Sequence, residues 1–245
     1  MSVVPDDMQA YLHDWAAKIQ RGLDRVERLD KSDMRITDTM VCLATEPWQG
    51  EQYSLSRMTV TPEQEAFQRL RAAINGRSRF VPAGTYWNLS LGGAPMMTDT
   101  PDEKRDHIGP VMQAQARAQL HPINVLINGL GLGCIANAML AIPNVAHVTV
   151  VEHDADVARH MGPPIIDLWG EQRVTIAHAD AFTYQPPKGC KYGVAWHDIW
   201  QSISPDNLPD MHRLHRKYGR RASWQGSWAR KHCERMLRHE KQYGY

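Results

Sequence analysis

The stretch Asn124–Asp154, NVLINGLGLGCIANAMLAIPNVAHVTVVEHD, restricts the possible fold more than any other part of the chain. Val125, Leu126 and Ile127 form a short apolar run ahead of a glycine turn, and a second run spans Val148 to Val151. Strands buried on both faces of a parallel sheet read this way. The residues between them supply the helical crossover that parallel strands require. Gly129, Gly131 and Gly133 are spaced G-x-G-x-G, so the backbone turns sharply and a ligand can lie against it without meeting a side chain. A dinucleotide fingerprint needs its third glycine three residues after the second, and Cys134 stands there. The spacing therefore fits an adenosine-type nucleoside cofactor better than NAD. Glu152 ends the second strand, where a carboxylate accepts hydrogen bonds from both ribose hydroxyls.

A chain of 245 residues can bury a sizeable core, and 42% hydrophobic with 22% charged residues is ordinary for a globular protein. Net charge is +1, so the whole molecule makes no electrostatic argument for a partner. Cysteines 42, 134, 190 and 233 form no C-x-x-C pair, which argues against a zinc ribbon or a disulfide framework and suits a reducing, cytoplasmic setting. The amino terminus has neither a basic start nor a long apolar run, so no signal peptide and no membrane span are expected. His212, His215, His232 and His239 match no H-E-x-x-H pattern, and no metal site is expected.

Along the chain, apolar residues recur at helical spacing from Asp7 to about Arg28, residues 36–60 read as one or two strands, and Thr61-Pro62-Glu63 opens a helix ending near Asn75. Arg79 to Thr98 reads as a hairpin turning at Gly92-Gly93, and Asp102 to Leu120 as helical. After Glu152 the spacing predicts a helix over Ala155–Trp169 and strands at Arg173–Ala177 and Tyr192–Trp196. Residues 206–218 and 225–239 read as helices, with no further β-branched run. The expected fold is α/β: a Rossmann-like parallel sheet of four strands, truncated at its carboxyl edge. The corresponding segments are an N-terminal helical and β extension (1–85), the cofactor-binding core (86–205) and a basic helical segment (206–245).

In an open α/β sheet ligands sit beyond the carboxyl ends of the strands, where strand order reverses. The loop Gly129, Leu130, Gly131 and Gly133, then Glu152 with His153, then Asp180 with Ala181, and then Trp196–Trp200 are expected to converge there. Asp180 can accept from an exocyclic amine of adenine, although Asp is also a favoured helix cap. In WHDIW, Asp198 sits just past the fourth strand, placed to act as a general base or to hold an amine, or else to cap the next helix. Trp196 and Trp200 offer aromatic faces to a sulfonium or ammonium cation, or else belong to the core. His197 points to the opposite side if the strand continues that far.

The strings VLINGLGLG, VVEHDADV, RVTIAHADAF and YGVAWHDIW together resemble class I S-adenosylmethionine-dependent methyltransferases, most closely the spermidine synthase-like branch of that superfamily. The resemblance covers roughly residues 86–200 and includes the hairpin before the glycine pair and the acidic TDTPDE stretch. It implies S-adenosylmethionine, or its decarboxylated form, as cofactor. Gly129, Gly131 and Gly133 would then lie against the methionine part and ribose, Glu152 on the ribose hydroxyls, Asp180 at adenine and Asp198 as the amine-deprotonating acid. Ordinary methyltransferases carry an acid where this chain has Ile127, and the synthase branch lacks it too. Synthases carry acids where this chain has Leu132 and Gln201. A dicationic polyamine needs several carboxylates, so these losses weigh against aminopropyl transfer and leave methyl transfer as the first reading.

From Arg213 to Lys241 there are ten Lys or Arg against two Glu, interleaved with Tyr218, Trp224 and Trp228. Basic residues mixed with aromatics can track phosphates and stack on bases, or simply form a solvated basic face. The acceptor is thus a small molecule or a nucleic acid, contacted in the latter case through this segment. A homodimer is one arrangement left open. From a different class, the same features would suit a non-catalytic module that binds a nucleoside or nucleic acid.

Overall fold

The computed structural model describes residues 13–24, 36–75 and 80–244. Within them, 13–24 form helix α1, the described part of the expected helix; the remainder of that expectation lies outside the described residues. Strands β1 (Trp48–Gln49) and β2 (Tyr53–Val60) lead into α2 (Pro62–Ile74), then β3 (Gly84–Leu91) and β4 (Ala94–Thr98). These four strands form an antiparallel sheet in the order β1-β2-β3-β4. The Gly92-Gly93 turn joins β3 to β4 with φ of 58° and 82°, the left-handed pair that a two-residue hairpin demands. Thr61 caps α2: its hydroxyl accepts from Gln64 N, and the Gln64 side chain accepts from Thr61 N, a reciprocal capping box.

The chain then runs through α3 (Pro101–Lys104) and α4 (Ile108–Ala118) into β5 (Ile123–Asn128), α5 (Cys134–Leu140), β6 (Val145–Glu152), α6 (Ala155–Trp169), β7 (Val174–His178) and β8 (Tyr192–His197). It finishes with α7 (Leu208–Tyr218), β9 (Ala222–Ser227) and α8 (Arg230–Tyr243). The second sheet has the order β7-β6-β5-β8-β9, every pair parallel. Winding outward from β5 through β6 to β7 and then returning to β8 on the other side places the reversal of strand order between β5 and β8.

The strand β9 corrects the expectation of a four-stranded sheet followed only by helices. Its sequence, ASWQGS, contains no β-branched residue; pairing with β8 makes it a strand, together with Trp224 stacking on Trp196 at 6.4 Å. Tertiary pairing overrides a weak local preference here. The helix expected at 225–239 accordingly begins only at Arg230.

One apolar cluster spans both sheets: Leu55 and Leu89 of the antiparallel sheet join Val125, Ile127, Val148 and Val150 of the parallel one, with α4, α5 and α6 over the same face. The boundary drawn at 85/86 falls within β3, two residues into its eight-residue register with β2. The opposite face of the parallel sheet is covered by α7 through Leu214 and Tyr218 against Leu126 and Ala195. No helix among the described residues is long and apolar enough to cross a membrane.

That opposite face also carries a buried polar chain. Asn128 Nδ2 donates to His197 Nδ1 at 2.7 Å, His197 Nε2 donates to Gln225 Oε1 at 3.4 Å, and Gln225 Nε2 donates to the His215 carbonyl at 2.9 Å. His215 Nδ1 in turn accepts from Arg230 at 2.8 Å. Each imidazole so placed is neutral. Burial depresses His197 to about 3 and His215 to about 4. Both folded values lie below the unfolded one of about 6.5, so the unfolded chain binds more protons in acid. Stability from these groups is therefore complete above pH 6.5 and falls as pH drops towards 4. For the fully buried His197 the loss approaches ~1.4 kcal/mol per pH unit. Denaturant titrations at pH 7, 6 and 5 should show the midpoint falling, with a shallower pH slope in His197→Gln.

Candidate active site

A cavity of about 640 Å³ lies beyond the carboxyl ends of the parallel strands, at the β5/β8 reversal, and the antiparallel sheet roofs it. Gly129, Leu130, Gly131, Gly133, Glu152, His153, Asp180, Ala181 and Asp198 all line it.

The glycine loop is held at three points. Gly129 N donates to the Val151 carbonyl at 2.8 Å, Leu130 N to Glu152 Oε2 at 2.7 Å, and Gly133 N to the Leu130 carbonyl at 2.9 Å. Gly129 has φ of 98° and its Cα faces the Asp198 carbonyl, so a Cβ there would strike that oxygen. Only glycine satisfies both the angle and the approach. Gly133, at φ of 71°, starts α5, and a Cβ on it would come within 2.7 Å of Ile165.

Glu152, nearly fully buried, spends one hydrogen bond per oxygen on the protein: Oε2 accepts from Leu130 N, and Oε1 accepts from Asp154 N at 2.8 Å. Asp154 then caps α6, its Oδ1 accepting from Asp156 N and Val157 N, both at 2.9 Å. The string EHDAD is thus a relay from glycine loop to helix start. Each carboxylate oxygen of Glu152 retains a free lone pair. Asp180 makes a similar local turn, with Oδ1 accepting from Phe182 N at 2.6 Å. Its Oδ2 has no hydrogen bond among the described residues.

Asp198 continues the β5–β8 ladder by donating its N–H to the Asn128 carbonyl at 2.8 Å, which aims its side chain into the cavity. Its Oδ2 lies 3.6 Å from His107 Nε2. Burial lifts Asp198 to about 7, reinforced by Asp106 and Glu103 nearby. Burial also lowers His107 to about 4, against the pull of Asp106. Near neutral pH the pair therefore holds His107 uncharged beside a carboxyl group poised between its two forms.

The two tryptophans of WHDIW part company. Trp200 lines the cavity, whereas Trp196 packs in the core between Trp224 and an edge-on His107 at 6.0 Å. His197 faces away from the cavity, as strand alternation requires. Several wall residues were not singled out in the sequence: Tyr53 and Met97 from the antiparallel sheet, and Glu103, Asp106 and His107 from the segment after it. Two hydrogen bonds fix that segment: Trp87 N donates to Asp99 Oδ1 at 2.7 Å, and Thr98 N to Glu103 Oε2 at 2.6 Å. Burial raises the Glu103 carboxyl above its ordinary value. Asp106 Oδ2 accepts from Trp228 Nε1 at 3.3 Å. Only the acidity of TDTPDE could have pointed to this wall; a lone histidine such as His107 carries no pattern. Among the described residues no group of three His, Cys, Asp or Glu side chains is arranged to hold a metal ion.

No family model and no curated protein matches the chain. Among solved structures, it is similar to the CcbJ methyltransferase of Streptomyces caelestis, at 16% identity over 48% of this chain and 45% of that one, with a TM-score of 0.37. It is similar to protein arginine methyltransferase 10 of Arabidopsis thaliana, at 16% identity over 46% of this chain and 31% of that one, with a TM-score of 0.38. A third is the Trypanosoma brucei PRMT1 enzyme-prozyme complex with AdoHcy, at 20% identity over 39% of this chain and 29% of that one, with a TM-score of 0.31. The chain spans less than half the length of each of these solved chains.

Proposed function

We propose that this protein is an S-adenosylmethionine-dependent methyltransferase of the spermidine synthase-like branch, with Asp198 as the proton acceptor. The observation that carries the reading is the meeting, in one cavity at the strand-order reversal, of a side-chain-free glycine loop with three carboxylates, Glu152, Asp180 and Asp198. The volume of about 640 Å³ falls in the usual range for small-molecule cofactors. The free lone pairs of Glu152 suit a ribose diol, and Asp180 Oδ2 suits an exocyclic amine. The antiparallel hairpin over the cavity supports the choice of branch.

Bound there, the cofactor supplies a methyl group on a sulfonium, an electrophile that needs positioning of a nucleophile and exclusion of water. The chain's own residues do the rest. Glu152 would hold the ribose end through the same carboxylate that fixes the glycine loop. Met97 and Tyr53 close the roof and keep water out. Asp198, with a proton affinity raised to near neutrality, takes the acceptor's proton more readily than an exposed carboxylate would. His107 buttresses it at 3.6 Å without adding a competing positive charge.

For the acceptor, the reading favours a nucleic acid. Exposed Arg213 and Arg216 on α7, Arg220 in the turn after it, and Lys231, Arg235, Arg238 and Lys241 on α8 make no ion pair among the described residues. Arg213 lies over the Phe182 ring at 4.7 Å, and Phe182 lines the cavity. Arg213 thus stands beside the cavity wall, where a phosphate would stay outside while a base enters past the carboxylates.

Calorimetry should detect S-adenosylmethionine binding, weakened about 10-fold or more by Glu152→Ala, the loss of charge-assisted hydrogen bonds. Asp198→Asn should lower kcat by roughly 100-fold or more while leaving cofactor affinity nearly unchanged. Wild-type kcat/KM should rise with pH and level off above about 7, because the deprotonated carboxylate is the active form. Turnover with a decarboxylated donor and putrescine, but not with S-adenosylmethionine, would replace methyl by aminopropyl transfer; absence of any binding would leave only a non-catalytic module. Affinity for random-sequence oligonucleotides should fall steeply with salt, and an Arg216→Glu/Arg235→Glu/Arg238→Glu variant should flatten that slope.

A further inference from the structure

Helix α2 is fixed to the body along one side and bare along the other. Glu65 Oε2 accepts from Ala83 N at 2.8 Å, Gln68 Oε1 accepts from Val81 N at 2.9 Å, and Arg69 lies over the Phe80 ring at 5.0 Å. Ala72 and Ala73 are buried, and α1 packs so close that a Cβ on Gly22 would lie 2.6 Å from the Ala73 carbonyl oxygen. Phe67, Leu70 and Ile74 occupy the opposite side, at the i, i+3, i+7 spacing of a helix-pairing seam. They are 65%, 43% and 42% exposed, and no other helix or strand among the described residues shows more than one exposed large apolar side chain. An open groove of about 660 Å³ runs beside the stripe, between Gln64, Phe67, Gln68 and Arg71. No residue of α2 lines the cavity beyond the parallel strands.

We propose that this face of α2 is the contact between two copies of the chain, packed α2 against α2 antiparallel about a twofold axis at Phe67. Contiguous apolar surface left in water marks an interaction site. The charges select both the occupant and its direction. Glu63 and Arg71 stand four residues before and four after Phe67 on the same exposed face, and neither makes an ion pair among the described residues. An antiparallel second copy sets each Glu63 beside the other copy's Arg71, and each Phe67 ring against its twin and the groove. A parallel copy would set Glu63 against Glu63 and Arg71 against Arg71, with the two helix dipoles aligned. The face is therefore complementary to itself in one orientation, as an isologous contact requires. Because side chains on the inner side anchor the helix, the stripe is presented without rearrangement. Thirteen residues make a helix about 20 Å long, so the contact falls at the small end of specific interfaces and a micromolar dimer is expected. The inference does not depend on the reaction at the cavity.

The test is analytical ultracentrifugation of the full chain from low micromolar to near-millimolar concentration. Its mass should rise from 27.9 kDa towards twice that value. Phe67→Glu, which brings two carboxylates together at the axis, should loosen the dimer by about 100-fold or more and leave the fold intact, since the side chain is exposed. Glu63→Arg and Arg71→Glu should each loosen it by about 10-fold, because either reversal creates two like-charge pairs. The double variant E63R/R71E should recover most of the wild-type affinity, an outcome that damage to folding cannot imitate. Phe67→Cys should form a disulfide-linked dimer on mild oxidation. A wild-type chain that stays at 27.9 kDa throughout, a dimer indifferent to these changes, or a double reversal no better than either single one would overturn the proposal. So would a monomer in which Phe67→Cys resists iodoacetamide, because another segment of the same chain would then cover the stripe.

Discussion

Glu152 holds the functional end of the molecule together. Its carboxylate takes Leu130 N of the glycine loop on one oxygen and Asp154 N on the other, and Asp154 starts α6. Loop, strand end and helix start therefore share one buried charge. Charge-assisted bonds of this kind are the strong ones, and in a dry site losing a partner leaves the rest uncompensated. The geometry also limits what the loop can do. Gly129 and Gly133 are pinned by neighbours on both sides, so the cradle is set before any ligand arrives, which lowers the ordering cost of binding.

The parallel sheet treats its two faces differently. One is sealed by apolar packing that continues into the antiparallel sheet, while the other hides the Asn128, His197 and Gln225 chain beneath α7. At the end of β8, adjacent residues serve opposite ends: His197 satisfies the polar core, and Asp198 enters the cavity. Strand alternation alone separates a structural imidazole from a carboxyl group with a raised proton affinity.

Strands β5, β6 and β8 of the parallel sheet were legible because their apolar runs are buried on both faces, which leaves few alternatives, and the edge strand β7 followed from its short β-branched run. Asn124 to Asp154 folds as its pattern predicts, with α6 covering the expected span from Ala155 to Trp169. Thr61, Pro62 and Glu63 similarly announced α2, since helix-start chemistry is local, and Gln64 completes the capping box. What escaped was non-local. Strand β9 exists because β8 and Trp196 are beside it, and ASWQGS does not advertise that. His107 acquires meaning only once the start of α4 brings it to Asp198, and the choice between ligand platform and core for Trp196 is decided by Trp224 stacking over it.

The continuous core between the two sheets has a bearing on traffic through the cavity. A roof attached by a linker could swing aside like a jaw, but Leu55 and Leu89 pack in the same cluster as Val125 and Ile127, and moving them apart would expose that apolar surface to water. Trp228, at the far end of the chain, also reaches Asp106 in the cavity wall, tying the C-terminal region to the roof's own connector. A molecule exchanging through this cavity would therefore rely on shifts of lining side chains, such as Gln201, Gln52 and Phe182, while the shared core holds the two sheets together.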